Sequence, residues 1–278
     1  MSPASKNDLL KERARALKEV RTFFEALDVL EVDTPLLSKY APIDTHIDLF
    51  SVDFSATEKG YLHSSPEYGM KKLLAEGSGD IYQLGHVFRK DEMGRLHRPE
   101  FTMIEWYRVG ITFESFLDEN LALLQLFLGE QSHEILTYKE AMERYGHYPD
   151  SDDPNIIWGC AVEPQLGQGK ISVIVDYPAD QAALAQTKIV NSEEVAERFE
   201  FYFNGIELGN GYHELTDPAE QKRRLLKSNE ERTLLGKDPL PLDPEFIGAL
   251  EKGLPDCYGI ALGFDRLFML KLNLNSLF

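Results

Sequence analysis

The sequence predicts an α+β chain in which antiparallel strand pairs are set among helices. Three observations carry this. Residues 81–89 and 101–108 are strand-like runs, joined by a charged connection too long for a tight turn and closed by Pro99. Asn204-Gly205 is a two-residue hairpin signal between aromatic and apolar runs. Helical spacing of apolar residues appears at Leu9, Leu10, Ala14, Leu17, Val20 and Phe24, and a second apolar, helix-like stretch covers 113–127.

Composition narrows the classes of function. The 278 residues exceed a typical single-domain length, yet mixed enzymes of this size often have one core, and 43% hydrophobic content supports a substantial interior. Lys and Arg total 29 against 47 Asp and Glu, a formal charge of −18, which disfavours extensive tRNA or DNA binding but allows a local basic patch. Cys160 and Cys257 are too few for a disulfide framework and fit a reducing cytosol. The beginning lacks a signal-peptide core and no apolar run reaches membrane-spanning length, so a cytoplasmic protein without a membrane partner is expected. Seven scattered His and two distant Cys show no zinc-ligand spacing.

The elements follow in order. Asp8 is placed to cap the first helix, which runs to about Leu27 with Arg13, Arg15, Lys18 and Arg21 on a solvated face. A short strand ends at Pro35, and 50–54 with 60–62 read as strands around a polar turn. At the next helix Ser65 suits the cap, Pro66 the first helical position, and Glu67 the positive end. In the run 101–108 the two-residue period puts Phe101, Met103, Glu105 and Tyr107 on one face. Arg89 ends the preceding run, and the loop between offers Lys90, Arg95, His97 and Arg98. A cationic loop over a half-polar sheet floor suits a triphosphate, because guanidinium groups give paired donors to phosphate oxygens; a solvated hairpin loop has the same composition.

Residues 139–145 read as a short helix, 148–169 as loop and turns, and 171–177 as an apolar strand. Asp180 and Gln181 after it either line a site or cap a helix. With the turn at Asn204-Gly205, Tyr202 faces Glu207 and Glu200 lies diagonal to Glu207 on the same face. Two carboxylates then converge with no cation between them, which suits Mg²⁺ accompanying ATP phosphates, or else they are two exposed glutamates on a wet face. Bulges at Gly209, Asn210 and Gly211 would re-aim the chain ahead of Glu214. A charged helix over 217–235, a proline-bounded connection and a short helix over 245–252 lead to a strand in which Gly259 and Gly263 allow close backbone approach, with Asp265 and Arg266 opening the last helix.

FRKDE, a loop, then HRPEFTMIEWYR resembles motif 2 of the class II aminoacyl-tRNA synthetases, closest to the lysyl-tRNA synthetase group. GIALGFDR resembles motif 3, and the first helix, strand and Pro35 resemble motif 1. Within the group, SPEYGMKKLL and EFTMIEWYR resemble the truncated lysyl-tRNA synthetase paralogues that modify elongation factor P. The resemblance covers nearly the whole chain. It implies a class II catalytic core, an antiparallel β-sheet flanked by helices, as one domain over 1–278, with a shortened insertion around 148–169, no anticodon-binding domain, and a homodimer formed through motif 1.

The same resemblance implies the site. Arg89 on the α-phosphate and Arg266 on the outer phosphate would be the catalytic groups, with Lys90, Asp91, His97, Arg98, Phe101, Glu207, Leu208 and Gly263 around ATP. Adenine would lie between Arg266 and Phe101, and Glu200 with Glu207 would hold Mg²⁺. Ser65, Pro66, Glu67, Tyr107, Asn210, Glu214 and Ala261 would surround the amino acid. Three positions depart from the wider family: Ala261 replaces the glycine of true lysyl-tRNA synthetases, as in the paralogues, Asp91 replaces a common Glu, and Arg98 replaces an Asn expected in the paralogues. The implied activity is an ATP-dependent ligase that activates lysine or (R)-β-lysine as an aminoacyl-adenylate and transfers it to a lysine ε-amine of elongation factor P. The alternatives are a minimal synthetase charging tRNA or another acceptor, and a nonenzymatic regulatory subunit that binds an amino acid.

Overall fold

The structure, a computed structural model, describes residues 5–276. Helix α1 (Lys6–Ala26) is followed by β1 (Leu30–Glu31), then by a small antiparallel sheet of β2 (Leu37–Ser38), β3 (Ser51–Asp53) and β4 (Lys59–Leu62), and by α2 (Glu67–Ala75). Next come β5 (Ile81–Phe88), β6 (Glu100–Val109), α3 (Phe113–Leu128), β7 (His133–Thr137), α4 (Tyr138–Tyr145) and α5 (Pro154–Ile157). The remainder is β8 (Ile171–Pro178), β9 (Thr187–Val190), β10 (Glu193–Phe203), β11 (Ile206–His213), α6 (Pro218–Leu234), α7 (Pro244–Gly253), β12 (Cys257–Gly263) and α8 (Phe264–Lys271).

The main sheet runs β1-β5-β6-β12-β11-β10-β8-β7, with β9 paired to β10. Its central pairings are antiparallel, as expected, but the two edge pairings β1–β5 and β7–β8 are parallel. Parallel neighbours need a long crossover, and both are reached through helices rather than hairpins. One face of the sheet carries Ile104, Trp106, Phe199, Phe201, Ile260 and Leu262, which pack with Val20 and Phe24 of α1, Phe116 and Leu124 of α3, and Phe264 and Phe268 of α8. That burial leaves the other face of β6, β12, β11 and β10 to form the floor of a cavity.

Several local expectations shift. The first helix is capped by Ser5, whose hydroxyl accepts from the Asp8 amide, so Asp8 is a first-turn acid rather than the cap. Arg13 is not on a solvated face: it pairs with Asp265, donates to Thr102 and lies over the Phe264 ring, tying α1 to α8. Residues 154–165 are helical in sequence, with a π turn at Trp158–Val162 and a 3₁₀ turn at Glu163–Gln165, where the sequence suggests only loop and turns. The Asn204-Gly205 turn has both residues at positive φ, 51° and 70°, as a two-residue hairpin requires. The irregularity in β11 falls earlier than Gly209: Phe201 pairs with Gly209 and Tyr202 with Glu207, so Leu208 is the extra residue and 209–213 pair regularly with β12.

Candidate active site

The cavity encloses about 1120 Å³ and is polar at both ends. Strand periodicity supplies its floor. Phe101, Met103, Glu105 and Tyr107 come from β6, Arg198 and Glu200 from β10, Glu207 and Asn210 from β11, and Gly259, Ala261 and Gly263 from β12. The pairing Ile81↔Tyr107 through Phe88↔Glu100 sets Arg89 beside Phe101, and its guanidinium lies 5.2 Å from the ring centroid.

The cationic end gathers Arg89, His97 and Arg266. Arg266, in the first turn of α8, donates to the Glu207 carbonyl at 2.7 Å and to His97 Nε2 at 2.8 Å, and its guanidinium is 3.5 Å from the Glu207 carboxylate. Burial and the Arg266 charge lower the pKa of His97, so the imidazole accepts from Arg266 as a neutral ring. Arg98 also lines the cavity but donates to the Gly94 and His97 carbonyls of its own loop.

Glu200 and Glu207 do converge, and enclosure followed by the Glu200 charge raises the pKa of Glu207. The expectation that no cation stands near them is corrected. Arg198 pairs with Glu200, which also accepts from Tyr177 at 2.6 Å and from Tyr202, while Arg266 approaches Glu207. Among the described residues no group of three or more His, Cys, Asp or Glu is arranged to hold a metal. A two-carboxylate arrangement still fits Mg²⁺, which takes one or two carboxylates and completes its shell with substrate phosphates and water.

The anionic end is more enclosed. Ser65 accepts from the Glu67 amide at 3.0 Å and donates to Glu105 at 2.8 Å, so it serves both the helix entry and the site. Helix α2 begins at Glu67, which places Pro66 at the cap position, one residue ahead of the expected one and outside the cavity lining. Glu105 accepts the Tyr107 hydroxyl at 2.7 Å. Burial, then the neighbouring Glu67, pushes its pKa up to about 8. Glu214 follows β11, and its amide is paired to the Cys257 carbonyl at 3.0 Å. Gly259 separates it from Tyr107: a Cβ there would stand 2.4 Å from both the Glu214 carboxylate and the Tyr107 ring. Gly263 is not so confined, since a Cβ there would first meet Arg266 at 3.6 Å.

Of the residues singled out by sequence, Ser65, Glu67, Arg89, His97, Arg98, Phe101, Tyr107, Glu200, Glu207, Leu208, Asn210, Glu214, Ala261, Gly263 and Arg266 all line this one cavity. Lys90 and Asp91 do not. Both are exposed, the Lys90 amide is tied to the Asp48 carbonyl at 2.7 Å, and Asp91 sits at φ 62°. Among the residues to which the sequence assigned no binding role are Glu105, Lys71, Arg198 and Glu163. Glu105 was legible in the two-residue period, and Lys71, buried between Glu67 and Glu214, was legible as the residue one turn after Glu67. Arg198 follows from the same alternation that places Glu200. Glu163, whose pKa burial and the Glu207 charge push up to about 7, comes from the 154–165 helical segment and has no local signal.

The family model described as tRNA synthetases class II (D, K and N) matches residues 2–277. The chain belongs to the class II tRNA synthetases. Its relatives in this family include the elongation factor P–(R)-β-lysine ligase of Vibrio cholerae serotype O1, 43% identical over 97% of this chain and 93% of that protein. Those of Hamiltonella defensa and Proteus mirabilis are 41% and 40% identical, each over 99% of this chain and 94% of the relative. No described helix of this synthetase is long and apolar enough to cross a membrane.

Proposed function

We propose that this class II synthetase activates (R)-β-lysine with ATP as an aminoacyl-adenylate and transfers it to a lysine ε-amine of elongation factor P. The observation that carries the reading is the single cavity that joins a guanidinium end to a carboxylate end. The substrate carboxylate, already ionised near neutrality, attacks the α-phosphorus and pyrophosphate leaves, so no general base is needed. The acceptor amine then attacks the acyl carbonyl and AMP leaves.

Arg89 would bind the α-phosphate and stabilise charge developing there, with Arg266 on the outer phosphates and Phe101 against the base. Glu200 and Glu207 would hold Mg²⁺, which when bound neutralises the polyphosphate and orients the pyrophosphate as a leaving group. Glu67, Tyr107 and Glu214 would grip the amines, and Asn210 the carboxylate. Catalysis is then positioning and electrostatics.

The described residues would form one catalytic domain, with 148–169 as its reduced insertion. The matches to relatives run over 302 to 309 positions, more than the 278 of this chain, which supports a deletion relative to them. Dimerisation through the motif 1 region is supported by Leu10, Leu27, Leu30, Leu36 and Leu37, all exposed there. The acidic surface and two free cysteines support a cytoplasmic enzyme with little use for tRNA. ATP–pyrophosphate exchange dependent on (R)-β-lysine tests the activation step; absence of exchange with any lysine isomer rejects it.

A further inference from the structure

The carboxylate end contains its own ammonium. Lys71 lies one turn after Glu67 on α2, so the helix puts both on one face. Its side chain is fully enclosed, and Nζ stands 2.7 Å from Glu67 and 2.5 Å from Glu214. Burial works against the ammonium, but the Glu214 and Glu67 charges outweigh it and hold Lys71 above its ordinary pKa.

Glu67 and Glu214 belong to parts of the fold that share no hydrogen-bonded ladder, one opening α2 and the other following β11. Lys71 bridges them directly. The two oxygens it pairs with, one by a hydrogen bond and one by an ion pair, are no farther apart than those two contacts laid end to end. Glu105, the third carboxylate of this end, is anchored separately by Ser65 and Tyr107. Three carboxyl groups therefore surround one internal cation; burial keeps Glu105 protonated, so Glu67 and Glu214 are the two that a ligand carrying amines would meet as acceptors beside Lys71.

We propose that Lys71 is a positioning residue, a fixed spacer between the amine receptors Glu67 and Glu214 that selects among diamino acids by the distance between their two amines. This rests on the reading above that the cavity takes a diamino acid, and it adds what sets the choice. α-Lysine and β-lysine have the same atoms and the same charge. They differ in that the amines of α-lysine are one carbon farther apart, so net electrostatics does not separate them while a fixed receptor spacing does. A spacer that holds both carboxylates before binding also removes the cost of ordering them afterwards.

Two measurements test this. In ATP–pyrophosphate exchange, Lys71→Met is compared with the unaltered enzyme by the ratio of kcat/KM for the two isomers, a quantity that does not depend on the folded fraction. The expected result is an isomer ratio brought at least tenfold nearer to one; an unchanged ratio overturns the spacer. Should Lys71→Met not fold, the unaltered enzyme is inhibited with the series 1,3-diaminopropane to 1,6-diaminohexane. A sharp optimum at one chain length is expected, and inhibition that rises smoothly or stays flat along the series overturns the spacer. Failure of the unaltered enzyme to exchange with either isomer is a different result, one that removes the diamino-acid reading itself.

Discussion

The Tyr107 hydroxyl donates to Glu105 at 2.7 Å, and both side chains are buried at the closed end of the cavity. Glu105 is held near neutrality by that burial, with a pKa of about 8 against an ordinary 4.5. The folded protein thus keeps a proton that the unfolded chain gives up between these values. The contribution to stability is fully present below the unfolded pKa and is lost as pH rises through about 8. Glu105→Gln should remove this dependence, so that the variant gains on the unaltered protein between pH 6 and 9 by on the order of a few kcal/mol. Urea midpoints of both proteins at the two pH values measure it, and a pH-independent difference would go against it.

Gly259→Ala should damage amino-acid binding and spare ATP. The added methyl meets Glu214 and Tyr107 at 2.4 Å, and both are fixed by packing and pairing, so neither can retreat without a shift of strand. Calorimetric titration should show at least a tenfold loss of affinity for lysine isomers with little change for ATP. Equal losses for both ligands would mean that the whole floor has moved.

Arg89→Ala should lower exchange by roughly a hundredfold or more, the range seen when one donor to developing charge is removed. Arg266→Ala should do similarly, with a further loss because Glu207 and His97 lose the guanidinium between them. Exchange rates of both variants, with circular dichroism to confirm folding, decide this. Rates within a few-fold of the unaltered enzyme would place phosphate binding elsewhere.

Much of this site was legible in sequence because strand alternation is a strong rule. Placing Tyr107 on one face of β6 also places Glu105, Met103 and Phe101 there, and the Asn204-Gly205 turn brings Tyr202 opposite Glu207 without further information. What failed depended on tertiary packing. Whether Arg13 faces solvent is decided by Asp265, distant in sequence, and Glu163 reaches the cavity from a 3₁₀ turn, following a π turn, that propensity does not announce. Lys90 and Asp91 share the loop composition of Arg89, yet the Asp48 pairing turns that stretch away from the cavity. The parallel edges were missed because a strand's own residues say little about its partner's direction.

Ala261→Gly should shift preference toward α-lysine. Ala261 pairs across the sheet with Asn210 on one side and Glu105 on the other and lines the floor of the cavity. A single methyl discriminates by about 1–3 kcal/mol, tenfold or somewhat more in the ratio of kcat/KM. Exchange with each isomer measures the ratio, and an unaltered value would show that this methyl is not a selector.

The central claim is that one hollow grips ATP at its arginine end and a diamino acid at its acidic end, and hands the product to a protein lysine. It is tested most directly by the intact mass of elongation factor P after incubation with the purified enzyme, ATP, Mg²⁺ and (R)-β-lysine. The account predicts the addition of one lysyl-sized group to the factor, dependent on ATP and abolished by Arg89→Ala. A factor of unchanged mass, in a reaction where ATP and β-lysine are nonetheless consumed to charge tRNA, would contradict it.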